Sequence, residues 1–230
     1  MIVDDKLSAF FFKLLSWFME LSPIGVASLM AFSVAQYGSG IFGSLAKYIA
    51  CCWICCIAVY VLVMLLPAVL ITKVSAKDFL KASGKIALVT LSTTSSAATL
   101  PTTIKVSTEE LGAPEDVSNF TLPLGCTINM CGGACSFCCL AVFVSDFYSL
   151  SLSLGTIVLL IALATIINMA APGIPGGGIV IGASYLQMLG IPMGFIGFYS
   201  GIYKFLDMIY TTLNVTGDIS ANIILNTKRK

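Results

Sequence analysis

LDMIYTTLNVTGD, residues 206–218, puts two aspartates and an asparagine inside the last apolar segment of the chain. Tyr203, Asp207, Tyr210, Thr211, Asn214 and Asp218 are spaced by three or four residues. At about 100° per residue they share one helix face. An ionised carboxylate in hydrocarbon is expensive, so such residues face a cavity and bind something. Lys204, three residues before Asp207, offers that aspartate a purely structural ion-pair partner. Asp218 has no cationic residue within one turn, so a bound cation is its natural partner.

The rest of the sequence is as apolar as this segment. Of 230 residues, 58% are hydrophobic and 10% charged, and mean hydropathy is +0.99. Soluble domains carry about 25% charge. Apolar runs of about 20 residues, long enough to cross a bilayer as helices, recur along the chain. The fold class is therefore an all-α polytopic membrane protein. A net charge of +1 supports neither a nucleic-acid partner nor an acidic surface. The absence of histidine excludes an imidazole proton relay and a histidine metal site. The N-terminus, MIVDDKLSAFFFKLL, lacks the marks of a signal peptide: Asp4 and Asp5 stand where a basic region belongs.

Segments follow from hydropathy and punctuation. Residues 7–37 form a first apolar stretch, interrupted at Ser22-Pro23, and residues 41–71 a second. Lys73, Lys77, Lys81 and Lys85 then surround one acid. Residues 86–104 carry STTSSAAT at their centre, a polar and acidic loop covers 105–119, and 120–148 is apolar again. Residues 152–189 hold two apolar arms around APGIPGGG, and 191–225 is the last segment. Excess lysine marks the cytoplasmic side. The cluster at 73–85 and the tail Lys228, Arg229 and Lys230 then lie inside, provided that 86–104 and 152–189 are re-entrant hairpins entering from opposite sides. Lys47 is the exception. Non-helical backbone at membrane depth must be buried in protein or line a cavity. Two opposed hairpins with Ser/Thr-rich and Gly/Pro-rich tips point to a central binding site of the secondary-transporter kind, with an inverted repeat.

Asn129, in PLGCTINMCGG, adds to this. Pro123 and Gly125 can loosen the helix there and free carbonyls, and carbonyl, amide and carboxylate oxygens are the hard ligands a sodium ion needs. Nine cysteines read mainly as packing residues. CCWICC (Cys51, Cys52, Cys55, Cys56) lies inside an apolar run, a poor place for a disulfide framework. CGGACSFC (Cys131, Cys135, Cys138) has spacing that could hold an iron–sulfur cluster in an enzyme, but the soluble α/β context is lacking.

SSAATLPTT, FTLPLGCTINM, APGIPGGG and LDMIYTTLNVTGD occur in the order seen in the glutamate-transporter (dicarboxylate/amino acid:cation symporter) family, and SPIGV at 22–26 is similar to its fifth transmembrane helix. The resemblance implies a transporter, not an enzyme, holding transmembrane helices five to eight with the N-terminal helices missing. Residues 1–40 would be the last scaffold-type helix. Residues 41–230 would be the transport domain: helix six, hairpin one at 75–104, helix seven at 115–148, hairpin two at 152–190 and helix eight at 191–225. Members are homotrimers in the cell membrane whose transport domain moves elevator-fashion. A trimer here would need the missing helices supplied, and membrane lipid is the other implied partner. The second reading is a non-transporting remnant that only associates with a full-length partner.

Roles carry over by matching position. Ser96 corresponds to the serine that meets the substrate α-carboxylate, and Asp207 to the aspartate that binds the substrate ammonium. Thr211 and Asn214 match substrate contacts, and Ile174 and Gly178 sit where hairpin-two backbone touches substrate. Gly125, Asn129, Asn214 and Asp218 match one sodium site. Thr127, Met169 and Ala171 match a second. Sodium is the implied coupling ion, with a proton as the alternative, and no other cofactor is implied. Three departures matter. Cys131 stands where the family has an aspartate after INM, which removes a ligand of a third sodium site. Tyr210 stands where members that take acidic substrates carry an arginine, whose bidentate grip on a carboxylate a tyrosine cannot reproduce. Tyr203 occupies another position that is commonly acidic. The substrate reading is therefore a neutral amino acid rather than an acidic one or a dicarboxylate.

Overall fold

A computed structural model describes residues 2–38, 40–149, 151–169, 176–188, 190 and 195–227. Among them the secondary structure is all helical. The order is α1 (Ile2–Tyr37), α2 (Ile41–Val59), a π turn (Tyr60–Leu65), α3 (Leu66–Ile71), α4 (Ala76–Thr93), α5 (Ser96–Lys105), a second π turn (Val106–Glu110), α6 (Glu115–Ile128), α7 (Cys131–Phe147), α8 (Leu154–Met169), α9 (Gly177–Met188) and α10 (Phe195–Thr227). Two helical stretches among the described residues are long and apolar enough to cross a membrane: Phe42–Ile71 (30 residues) and Glu115–Phe147 (33 residues). The tip between α8 and α9 (170–175), and with it Ala171 and Ile174, lies outside the described residues.

Local chemistry accounts for the breaks. Between α4 and α5, Thr94 adopts a left-handed conformation (φ 49°, ψ 37°) that ends α4. Ser95 is extended, and its Oγ accepts from the Ala98 N–H at 3.2 Å, which starts α5 as an N-cap. Pro67 lacks an N–H, and the helix passes it by a wider turn in which the Leu66 N–H reaches back to Val61 O. In the same turn the Met64 carbonyl accepts from Ser220 Oγ at 3.0 Å.

Three sequence expectations change. Ser22-Pro23 does not interrupt the first segment; α1 runs through Pro23. In an apolar surround a helix keeps its remaining backbone bonds, because breaking them exposes groups that nothing solvates. The polar loop at 105–119 is mostly helical. The π turn prolongs α5, Lys85 pairs with Glu110 at 2.7 Å, and only 111–114 separates it from α6. Finally, the helix opens at Asn129 and Met130, not at Pro123 or Gly125, both of which stay inside α6. The Asn129 N–H still bonds Gly125 O at 2.8 Å.

Helix α10 runs through both apolar cores. Its first half packs with α2, α7 and α9 around Tyr48, Phe137, Leu140, Tyr185, Tyr199 and Leu206. Its second half packs with α3, α4 and α6 around Ala68, Phe79, Ile86, Leu122 and Ile219. Association between helices in lipid depends on close packing and on polar ties of about 1 kcal/mol each. Such ties recur along α10. Thr90 and Thr212 hydroxyls meet at 2.6 Å, and Asn222 receives Thr121 Oγ1 at 2.5 Å while donating to Ser118 Oγ at 2.9 Å.

Candidate functional site

The polar face read from the sequence is buried along α10. Tyr203, Asp207, Tyr210, Thr211, Asn214 and Asp218 are all withdrawn from the surface, the two aspartates at 7% and 6% exposure. Two separate polar clusters form on it.

Around Asp207, three donors converge. Tyr203 Oη donates to Oδ1 at 3.2 Å, Thr211 Oγ1 to Oδ1 at 3.4 Å, and the Gly176 N–H to Oδ2 at 3.4 Å. Gly176 has φ +75°, a left-handed conformation that glycine adopts freely, and it directs its N–H from the start of α9 toward the carboxylate. All three bonds are longer than the usual 2.7–3.0 Å, so among the described residues the buried carboxylate is held by loose donors. Lys204 does not pair with it: Nζ donates to Thr94 Oγ1 at 2.8 Å and ties the α4–α5 turn to α10. Ser96, at the first position of α5, is buried at that turn. Gly178 lies against Tyr203, whose hydroxyl occupies the space where a Cβ would go.

Around Asp218, the α6–α7 break meets α10. Asn129 Nδ2 donates to Asp218 Oδ1 at 2.8 Å and to the Asn214 carbonyl at 3.0 Å, so one amide bridges two oxygen ligands. Gly125 lies so near that a Cβ there would collide with the Asp218 carboxylate. Asn214 Oδ1 accepts the Gly132 N–H at 2.7 Å. Helix α7 has no capping side chain of its own at Met130, so α10 supplies the cap. Gly132 makes this possible, since any side chain there would strike the Tyr210 backbone. Asp218, Asn129, Gly125 and Cys131 line a cavity of about 450 Å³ whose other walls include Met64, Leu124 and Ile128.

The remaining sequence candidates fall elsewhere. Tyr210 joins the buried group of Tyr48, Cys52 and Tyr199, with its hydroxyl against Cys52. Thr127 is exposed and bonds back to Leu124 O at 2.7 Å. Met169 is exposed at the end of α8. Residues the sequence reading did not place at the site are Gly176, Gly132 and Thr94. The glycine-rich strings around the first two were a visible signal. The Thr94–Lys204 tie, 110 positions apart, left none.

Comparison with known proteins gives the family of the chain. The family model described as the sodium:dicarboxylate symporter family matches residues 3–228. The chain is 33% identical over 207 residues to a neutral amino acid transporter B(0) of Mus musculus, covering 89% of this chain and 37% of that protein. The Homo sapiens protein of the same name is 32% identical over 216 residues, covering 93% and 40%. Excitatory amino acid transporter 1 of Homo sapiens is 31% identical over 228 residues, covering 98% and 42%. The chain thus spans about two fifths of the length of these relatives. Residues 3–228 make it a member of the sodium:dicarboxylate symporter family, a family of membrane transporters and not of enzymes.

Proposed function

We propose that the chain carries the substrate and cation sites of a sodium-coupled symporter for neutral amino acids. One observation supports it most: Asp207 is buried among three long hydrogen bonds while the nearest lysine on its helix is engaged by Thr94. A substrate ammonium gains charge-assisted bonds from such a carboxylate. A second, side-chain carboxylate would meet no guanidinium, and unless Lys204 left Thr94 to pair with it, it would suffer the cost of desolvation. Tyr210, packed into the aromatic core, leaves that position without the guanidinium an acidic substrate needs.

In this reading the helix N-terminus at Ser96 receives the substrate α-carboxylate. Asp207 takes the ammonium, and Thr211, Asn214 and the hairpin-two backbone at Ile174 and Gly178 enclose the rest. The coupling ion is held by the carbonyls of Gly125, Asn129 and Asn214 and by the Asp218 carboxylate. A cation taking Asn214 O and Asp218 Oδ1 displaces the Asn129 amide that now bridges them. Thr127, Met169 and Ala171 form a second ion site. The α4–α5 and α8–α9 pairs are opposed re-entrant hairpins of a transport domain at 41–230, residues 1–40 belong to the scaffold, and the working unit is an elevator-type homotrimer in the cell membrane.

Coupling runs through packed contacts. Asp218 and Asp207 are 11 residues apart, about 16 Å along α10. Between them Asn214 holds both Asn129 and the start of α7. One residue on, Gly133 is filled against Asn168 of α8, so a shift at the α6–α7 break is felt by the arm that leads to the outer gate. Coupling is then the difference in substrate affinity between the sodium-bound and sodium-free states. Uptake into proteoliposomes under an imposed sodium gradient tests the reading. Neutral amino acids should be taken up and should compete with one another, with glutamate and aspartate failing to compete. Uptake of glutamate in preference to alanine or serine would refute it.

A further inference from the structure

Helices α2 and α7 face each other across a group of cysteines that the transport reading does not use. Cys51 and Cys55, one turn apart on α2, and Cys139 on α7 bring their sulfurs within 4.8 Å of one another. This is not the trio suggested by CGGACSFC: Cys131 and Cys138 are seven residues apart, about 10 Å along α7, too far to share one small cluster. The grouping needs two helices and so could not be seen in either string alone.

We propose that Cys51, Cys55 and Cys139 form a thiolate site for a divalent d10 metal ion of the zinc class. Soft thiolates select such ions, and the chain has no histidine to compete as ligand. Zinc–sulfur bonds of about 2.3 Å in tetrahedral geometry set sulfurs roughly 3.8 Å apart. The observed spacing closes to that by about 1 Å, within reach of cysteine χ1 adjustment. Binding exchanges three S–H protons, released to water, for three metal–sulfur bonds, with no change of oxidation state. The fourth position stays open for water.

The surroundings fit the charge. Three thiolates and a divalent ion carry −1 together. Lys47 lies one turn before Cys51 on α2, both exposed, and the half-buried Cys55 follows one turn later. It is the lysine that the inside-positive pattern leaves unexplained. Cys52 and Cys135 lie against Cys139, and Cys56 against Cys135, so thiol donors back the sulfur that is least exposed to water.

The test is cadmium titration of the purified, reduced full chain in detergent, read by the near-ultraviolet sulfur-to-cadmium charge-transfer band. One cadmium per chain should bind, and zinc should displace it. Cys51→Ser/Cys139→Ser should abolish the band with helical circular dichroism unchanged, and Cys126→Ser should leave it intact. Should the double variant fail to fold, the exposed single variant Cys51→Ser should still weaken binding at least about tenfold. Lys47→Gln should weaken it by a smaller factor. The proposal is overturned if the wild-type chain shows no band, if the band survives loss of Cys51 and Cys139, or if it disappears only with Cys52 and Cys56.

Discussion

The two buried aspartates of α10 are equally withdrawn from the surface but held in different ways. Asp207 is met by three donors, two from α10 and one from the turn before α9, all at 3.2 Å or longer. Asp218 is met by one side-chain amide at 2.8 Å, with backbone carbonyl and glycine crowding the same space. A loose ring of hydroxyl and N–H donors leaves a carboxylate ready for a strong hydrogen-bond donor such as an ammonium. A carboxylate beside a helix break, where carbonyls turn inward, suits a bare cation. The proposed function gives one aspartate to each passenger, and each substitution below should then disturb one side more than the other.

Asp218→Asn should have the largest effect. Losing a buried charge opposite a bound cation costs about 3 kcal/mol or more, so sodium-stimulated uptake should fall roughly 100-fold, measured as initial rate against sodium concentration. Asp207→Asn removes charge-assisted bonds to the substrate, worth about 1.5–3 kcal/mol. Substrate affinity should fall on the order of 10- to 100-fold in equilibrium binding, with sodium binding retained. Gly125→Ala presses a methyl group onto the Asp218 carboxylate. At a cost of about 1–2 kcal/mol it should raise the half-saturating sodium concentration roughly tenfold, with little change in substrate affinity at saturating sodium. Tyr203→Phe keeps the ring over Gly178 but deletes one donor to Asp207. That change, about 1 kcal/mol, should alter substrate affinity about fivefold and sodium affinity hardly at all.

The buried polar face of α10 was legible because carboxylates are costly in hydrocarbon. The three-and-four spacing of Tyr203 through Asp218 put them on one face, and all six are buried. The serine-rich string 92–96 marked the α4–α5 break, since Ser and Thr side chains cap and bend helices. The opening of α6 was misplaced by four residues. Pro123 and Gly125 are the strongest local breakers, yet the break occurs where Asn214, 82 positions beyond Gly132, caps the new helix. Lys204 likewise lies near Asp207 in sequence but bonds Thr94 instead. Tyr210 shares the polar face by periodicity, but α2 packs so close that its ring joins Tyr48 and Cys52 in the core. In each case a partner from another helix decides, and a string of residues does not display that partner.

The central claim is that Asp218, with Asn129 and Asn214, holds the coupling cation, while Asp207 holds the substrate. Sodium binding to the purified transporter in the absence of any amino acid tests it most directly, by calorimetry on the wild type, Asp207→Asn and Asp218→Asn. The account predicts saturable sodium binding in the wild type and in Asp207→Asn, and its loss in Asp218→Asn. Sodium binding that survives in Asp218→Asn and disappears in Asp207→Asn would contradict it.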